Sequence, residues 1–408
     1  MTPAPSASTP SALQADVPAP TDPRLPVVDD AVWTTADGTD VTVRLAVHAV
    51  RRTDSATVLD WSVTPLAGPG HPPGSPVPSN IDLGLSRNLA GEQNIALLDP
   101  ALGQAYRPLA DVSAERFSRC LCTPLFAVLP LLRFGDTRVL QLAFPPVPPG
   151  TSRIDVAFPN VAVMPGVAVT PVGQSPVAGP PTDLARPAVV GNAVTGAKLY
   201  VPPDGAHRLQ TVVVNEVLAT PDLTSVVWTL YSADDQDAPS TRPGPPVSRP
   251  LPDGLRVSTE VPASGPRLRV PGRTSPTTGV RWTTATFSGL PTYECLCSGL
   301  GLWSRSLRRS GGSAHLTTEV GPLPTGTSRV DVLFPGLDAF TDVRVTRADD
   351  PPAAGPTSPG TDATWTYDPA DPLRGWSTQD WPTPLPAPGQ IGGYSSRPER
   401  ILDHLPGS

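Results

Sequence analysis

Lysine is nearly missing from this chain, aromatic residues are sparse and charge is thin; each shortage closes off a class of function. Lys198 is the single lysine among 30 basic residues, net charge is −7, and no basic run or aromatic–basic interleaving occurs. Nucleic-acid binding needs a positive footprint, so that class is disfavoured. Charged residues make up only 16% of the chain and aromatics 5%, yet no apolar run is long enough to cross a membrane. The first residues, MTPAPSASTPSALQADVPAPTDP, have neither a basic start nor an apolar stretch, so they do not read as a signal peptide. Catalytic signatures are also missing: no Ser/His/Asp order, no Gly-rich phosphate loop and no HExxH occur. The five histidines (His48, His71, His207, His315, His404) are scattered, and the carboxylates show no spacing shared between parts of the chain that would make a site. No catalytic, cofactor or metal residue is assigned.

What the chain has in abundance is proline, 57 residues, together with 35 glycines. Each proline removes a backbone donor and breaks a helix interior. Few stretches run long without one, which excludes a mainly helical protein. These residues belong in turns, on sheet edges and in linkers, as all-β domains require.

The chain also contains itself twice. RLAVHAVRRTDSATVLDWSV from Arg44 aligns without a gap onto TVVVNEVLATPDLTSVVWTL from Thr211, at an offset of 167 that places Trp61 on Trp228. CLC at Cys120–Cys122 repeats at Cys295–Cys297 (offset 175), and GTSRIDVAFP from Gly150 repeats as GTSRVDVLFP from Gly326 (offset 176). A period this long means two copies of a domain rather than a solenoid. The expected organisation is a Pro/Ala/Ser/Thr spacer at 1–24, a first module at 25–172, a linker at 173–186, a second module at 187–349 and a Pro-rich, largely irregular tail at 350–408. Within each module the signal is period two: Val41, Val43, Leu45 and Val47 alternate with polar or small residues, as do Leu59, Trp61 and Val63. Further strands are expected at Ile81–Leu85, Gln104–Leu109, Arg138–Phe144, Ser152–Phe158 and Val167–Thr170. Their counterparts are Gly279–Thr286, His315–Val320, Ser328–Phe334 and Val343–Thr346. Seven or eight short strands per module point to tandem immunoglobulin-like β-sandwiches, with a compact barrel as the alternative. Trp61 and Trp228 are the expected core markers.

All four cysteines sit in the two CLC motifs. Three readings compete: a local disulfide within each motif, buried free thiols acting as small apolar side chains, and metal binding. The even number, paired repeat by repeat, favours disulfides Cys120–Cys122 and Cys295–Cys297 in an oxidising compartment. The one-residue gap and the lack of an accompanying histidine count against zinc. The apolar stretch after each CLC (TPLFAVLPLLRF from Thr123, SGLGLWSRSLRR from Ser298) reads as a strand or loop folded over the core rather than an exposed docking segment. Asp234, Asp235 and Asp237 lack the glycine and terminal glutamate of a calcium loop and read as a hairpin tip. Tail aromatics Trp365, Tyr367, Trp376 and Trp381 are candidates to anchor a partner or fold back on the second module.

The order of elements resembles the immunoglobulin-like modules of actinobacterial cell-envelope proteins, some of which precede an OmpA-like peptidoglycan-binding domain. It runs from strands ending in W-S-V or W-T-L, through Tyr106–Leu109, CLC, a G-D-T or G-G-S turn and an A-F-P strand end, to T-S-R-I/V-D-V-x-F-P. The resemblance implies a non-enzymatic, extracytoplasmic binding or spacer module with a protein or cell-wall partner. The Pro-rich first residues fit the spacer that follows a leader or lipid anchor in such proteins; a cytoplasmic chain is the alternative. Two other functions stay open: a building block of a virion or secretion assembly, and a hydrolase with its site between the modules. Two or more buried carboxylates between the modules would favour the hydrolase.

Overall fold

The computed structural model describes residues 27–34, 41–52, 56–67, 70–78, 83, 85, 94–111, 120, 122, 125–171, 198–200, 210–232, 263–274, 276, 278–287, 290–299, 312–348, 394–395 and 398–403. Outside them lie the expected spacer, the 173–186 linker, the Asp234–Asp237 tip, His207, His404 and the four tail aromatics.

The described chain is almost entirely strand. The first copy contributes β1 (Asp29–Thr34), β2 (Thr42–Arg52), β3 (Thr57–Pro65), β4 (Ala96–Asp99), β5 (Gln104–Tyr106), β6 (Ala110–Asp111), β7 (Arg138–Phe144), β8 (Arg153–Ala157) and β9 (Met164–Pro171). The second contributes β10 (Lys198–Tyr200), β11 (Gln210–Ala219), β12 (Thr224–Ser232), β13 (Arg267–Arg269), β14 (Trp282–Phe287), β15 (Leu290–Cys295), β16 (Ser313–Val320), β17 (Arg329–Leu333), β18 (Phe340–Arg344) and β19 (Thr346–Arg347). Two strands follow in the tail, β20 (Tyr394–Ser395) and β21 (Glu399–Leu402). Two expectations need correcting. The segment after the first CLC is a single helical turn, Leu125–Val128, running into a 3₁₀ turn, Leu129–Leu131. Residues 83 and 85 of the strand expected at Ile81–Leu85 are irregular, although both side chains are buried.

The duplication extends to hydrogen-bond register. In the first copy β1, β2, β3 and β7 pair antiparallel in that order, as do β10, β11, β12 and β16 in the second. Val47 faces Trp61 beside a bulge at His48, and Val214 faces Trp228 beside a bulge at Asn215. Both bulge side chains reach the same cross-strand position: His48 meets Ser62 at 2.8 Å, and the Thr229 hydroxyl donates to Asn215 at 2.7 Å. The parallel pairing of Arg51 with Thr170 recurs as Leu218 with Thr346. An extra residue at the same place in both strands re-aims a side chain and adds twist, so it is a heritable feature of the fold. Trp61 and Trp228 are both fully buried and each meets a phenylalanine edge-on, Phe158 at 5.5 Å and Phe334 at 5.0 Å. Such aromatic pairs contribute roughly 0.5–1.5 kcal/mol beyond area burial.

The tail is not merely irregular where it is described. β21 lies between β5 of the first copy and β14 of the second, so one continuous hydrogen-bonded path crosses both copies: β15-β14-β21-β5-β4-β8-β9-β2-β3-β7. Four tail residues complete a sheet that neither copy closes alone, Arg400 pairing with Gln104 and Glu399 with Ala105. No helix among the described residues is long and apolar enough to cross a membrane.

Candidate functional site

The repeated motif T-S-R-I/V-D-V builds the same local structure twice. β8 and β17 each carry a bulge around the aspartate, between Ile154 and Val156 and between Val330 and Val332. Each aspartate accepts a backbone N–H from a residue with left-handed φ: Gly166 (+63°) donates to Asp155 Oδ1 at 2.8 Å, and Asp342 (+61°) donates to Asp331 Oδ1 at 3.2 Å. Each motif arginine donates to that residue's carbonyl, Arg153 to Gly166 at 2.9 Å and Arg329 to Asp342 at 3.0 Å.

The copies then part. Asp331 faces Arg269 across the strand pair and receives its guanidinium, Nη2 at 2.8 Å and Nε at 3.0 Å. Asp155 faces Leu98 instead. Leu98 packs with Ala96, Ala105 and Val163 of the first copy and Leu223 and Leu296 of the second, so this face of β4 is the seam between copies. An arginine there would have to bury its charge, and the seam takes a leucine. Asp155, 6% exposed, consequently keeps Oδ2 without a hydrogen-bond partner. Burial pushes its carboxyl up to about 6, helped by the charges of Asp222 and Asp99 and opposed by the Gly166 N–H.

A second buried acid lies deeper in the seam. The Ser225 hydroxyl donates to Glu319 Oε2 at 2.7 Å and accepts the Val163 N–H at 3.1 Å, tying the copies together. Burial, with Asp155 adding, pushes Glu319 up to about 8, so it is mostly protonated at neutral pH. Its place in the first copy is taken by Ala143. Beside it, buried Arg107 reaches Glu294 and Glu399, each at 3.3 Å, and donates to Asn94 at 2.9 Å and Thr283 at 3.2 Å. One guanidinium thus binds the first copy to the second copy and to the tail strand. Around these groups is a void of about 20 Å³ lined by Arg107, Phe158, Cys295, Cys297 and Glu319, room for about one water.

Asp155 also lines a cleft of about 810 Å³ together with Asp99, Leu102, Arg153, Thr220 and Asp222. Leu102 is 51% exposed at its rim. Asp99 is already engaged, accepting the Leu102 N–H at 3.1 Å and the Thr151 hydroxyl at 2.9 Å.

The structure keeps the two CLC motifs apart. Cys120–Cys122 and Cys295–Cys297 each lie at disulfide distance, with Cα separations of 5.3 and 5.1 Å. Each second cysteine bridges the equivalent core strand, Cys122 to Leu142 and Cys297 to Thr318. The second motif lies at the seam, where the Ser298 hydroxyl donates to the Pro159 carbonyl at 2.7 Å. Among the described residues no three His, Cys, Asp or Glu side chains converge as a metal site. His315 is buried on Thr229 and burial pushes it down to about 4, while His71 stacks on Phe134 at 4.4 Å.

Sequence reasoning missed Asp155, Arg153, Arg107, Ser225 and Glu319. One statement made from sequence is overturned: a carboxylate is shared between copies, Asp155 with Asp331, inside the repeated motif. That shared aspartate, set against the Leu98/Arg269 difference, was the available signal, but the difference is readable only once β4 and β13 are known to be equivalent.

No protein-family model, no curated protein and no solved structure matches this chain.

Proposed function

We propose that this chain is a non-enzymatic, extracytoplasmic binding or spacer module of the bacterial cell envelope, built from two tandem immunoglobulin-like β-sandwiches. The observation that carries the reading is the state of the cysteines: all four are paired within their motifs and none is free. Disulfides form and persist in oxidising compartments and are rare in the cytosol. The strand arrangement supports the fold half of the reading. Each copy has four antiparallel strands in the same order; in the first they continue through β9 into β8-β4-β5, and in the second β13-β17-β18 form a separate sheet. A tryptophan of the first sheet meets a phenylalanine that directly follows a strand of the second. A seam closed by β21 and Arg107 suits a stiff spacer that holds a binding surface at a fixed distance.

Buried carboxylates between the copies are the feature that would favour a hydrolase. They do not converge. Glu319 lines a void the size of one water, Glu294 and Glu399 share the Arg107 guanidinium, and Asp155 lines the cleft. A general acid and base must both reach one reacting atom, so the arrangement favours binding over hydrolysis. A building block of a virion or secretion assembly would share the same sandwiches and is separated by a stable homo-oligomer in analytical ultracentrifugation.

The test is fractionation of the producing cells combined with alkylation before lysis. The expected result is chain in the envelope or medium fraction with all four cysteines unalkylated. Cytosolic chain carrying four alkylated thiols overturns the reading.

A further inference from the structure

The two copies carry the same ionic motif in different states of completion. In the second copy both charges of β17 are answered within the chain: Arg269 answers Asp331, and Asp342 accepts Arg329 at 2.6 Å. In the first copy both answering residues are gone. Leu98 stands where Arg269 stands, and Gly166 stands where Asp342 stands. What remains, among the described residues, is an aspartate with a buried, unpartnered Oδ2 and an arginine held by a backbone carbonyl, two residues apart on β8. Both line the same cleft of about 810 Å³, within the size range of small-molecule sites.

We propose that this cleft binds a basic amino acid with a free carboxylate, its guanidinium or ammonium on Asp155 and its carboxylate on Arg153. The ligand supplies the two charges that Arg269 and Asp342 supply in the second copy. Asp222, exposed and lining the same cleft, adds attraction for the cation, and the lining residues Leu102, Pro148 and Pro221 offer apolar surface for its methylene chain. Charge-assisted pairs of this kind are roughly twice as strong as neutral hydrogen bonds, and a planar guanidinium fits a carboxylate in two-point fashion. Asp155 must be ionised to bind, which holds above about pH 6. The proposal deepens the binding-module reading and rests on it for meaning, but its chemistry is tested independently of where the protein resides.

The experiment is a titration of the full chain at pH 7.5 by isothermal calorimetry and by amide shifts at Gly166. The probes are L-arginine, L-lysine, citrulline (no cation), agmatine (no carboxylate), and N-acetyl-glycyl-arginine with its carboxylate free. L-Arginine is expected to saturate, with citrulline and agmatine each weaker by about tenfold or more. Equal binding of N-acetyl-glycyl-arginine identifies a peptide C-terminus as the source; its failure identifies the free amino acid. Two variants probe the two half-sites. Asp155→Asn removes the cation partner and relieves a buried charge, so it is expected to fold. Gly166→Asp rebuilds the residue found at the same left-handed φ in the second copy, where the added Cβ meets nothing nearer than Arg153 Nη1 at 3.5 Å. Each is expected to lower arginine affinity about tenfold or more. No saturable binding of arginine or lysine at millimolar concentration overturns the proposal. So does equal binding of arginine, citrulline and agmatine, or unchanged affinity in both variants.

Discussion

Substituting Glu319→Gln should flatten the alkaline limb of this protein's stability. Glu319 is 4% exposed in the seam between copies, with Ser225 donating to it at 2.7 Å. Its carboxyl rises from an ordinary value of 4.5 to about 8. A raised carboxylate pKa means the folded chain holds a proton the unfolded chain has released. The stabilisation is full below the unfolded value and is lost as pH rises through the folded one. At about 1.4 kcal/mol per pH unit, a shift of this size corresponds to about 5 kcal/mol overall, of which about 2 kcal/mol falls between pH 6.5 and 9. That window largely isolates Glu319: Asp155 (about 6) has mostly finished titrating below it, and His315, lowered from 6.5 to about 4, adds only about 0.4 kcal/mol of opposite sign above pH 6.5. Glutamine mimics the protonated acid and keeps an acceptor for Ser225, so the variant should match the parent near pH 4 and exceed it by a margin that grows with pH above that. Urea denaturation of both proteins at pH 6.5, 7.5 and 9 reads the difference as a midpoint shift at constant slope. A parent whose stability does not fall over this range, or a variant that falls equally, refutes the placement of Glu319 as a buried neutral acid.

Four further outcomes follow from the same structure. Arg107→Met leaves Glu294 and Glu399 buried without their cation and should destabilise by about 3–5 kcal/mol, with tail proteolysis near β21 appearing before cleavage of either copy. Trp228→Phe should cost about 1 kcal/mol more than Trp61→Phe by thermal melting, because the Trp228 indole N–H donates to Thr318 at 3.2 Å whereas Trp61 Nε1 has no partner. Either tryptophan to alanine should cost about 3–5 kcal/mol. Reducing the CLC pairs should leave both copies folded, since so small a closed loop constrains the unfolded chain little; circular dichroism with and without reductant checks it.

Much of the architecture could be read before the structure was known, and the reason is locality. Alternation such as Val41–Val47 and Leu59–Val63 reports which face of a strand is buried, and a repeat of rare residues reports that one fold occurs twice. From these followed all-β character, strands at Arg138–Phe144 and His315–Val320, and the tryptophan and cysteine positions. The helical turn at Leu125–Val128 escaped because an apolar run of four has no period to read. The candidate site escaped for a deeper reason. Asp155 and Asp331 have nearly the same sequence neighbours, yet Asp331 is answered by Arg269 and Asp155 faces Leu98, from strands 62 and 57 residues away. Arg107 meets a glutamate 292 residues on, and β21 completes a sheet between two copies that sequence describes separately. Local pattern determined what each copy is. How the copies bury each other's faces, and so which charges are left without a partner, was decided only by the tertiary structure, because desolvation and ion pairing depend on neighbours in space rather than in the chain.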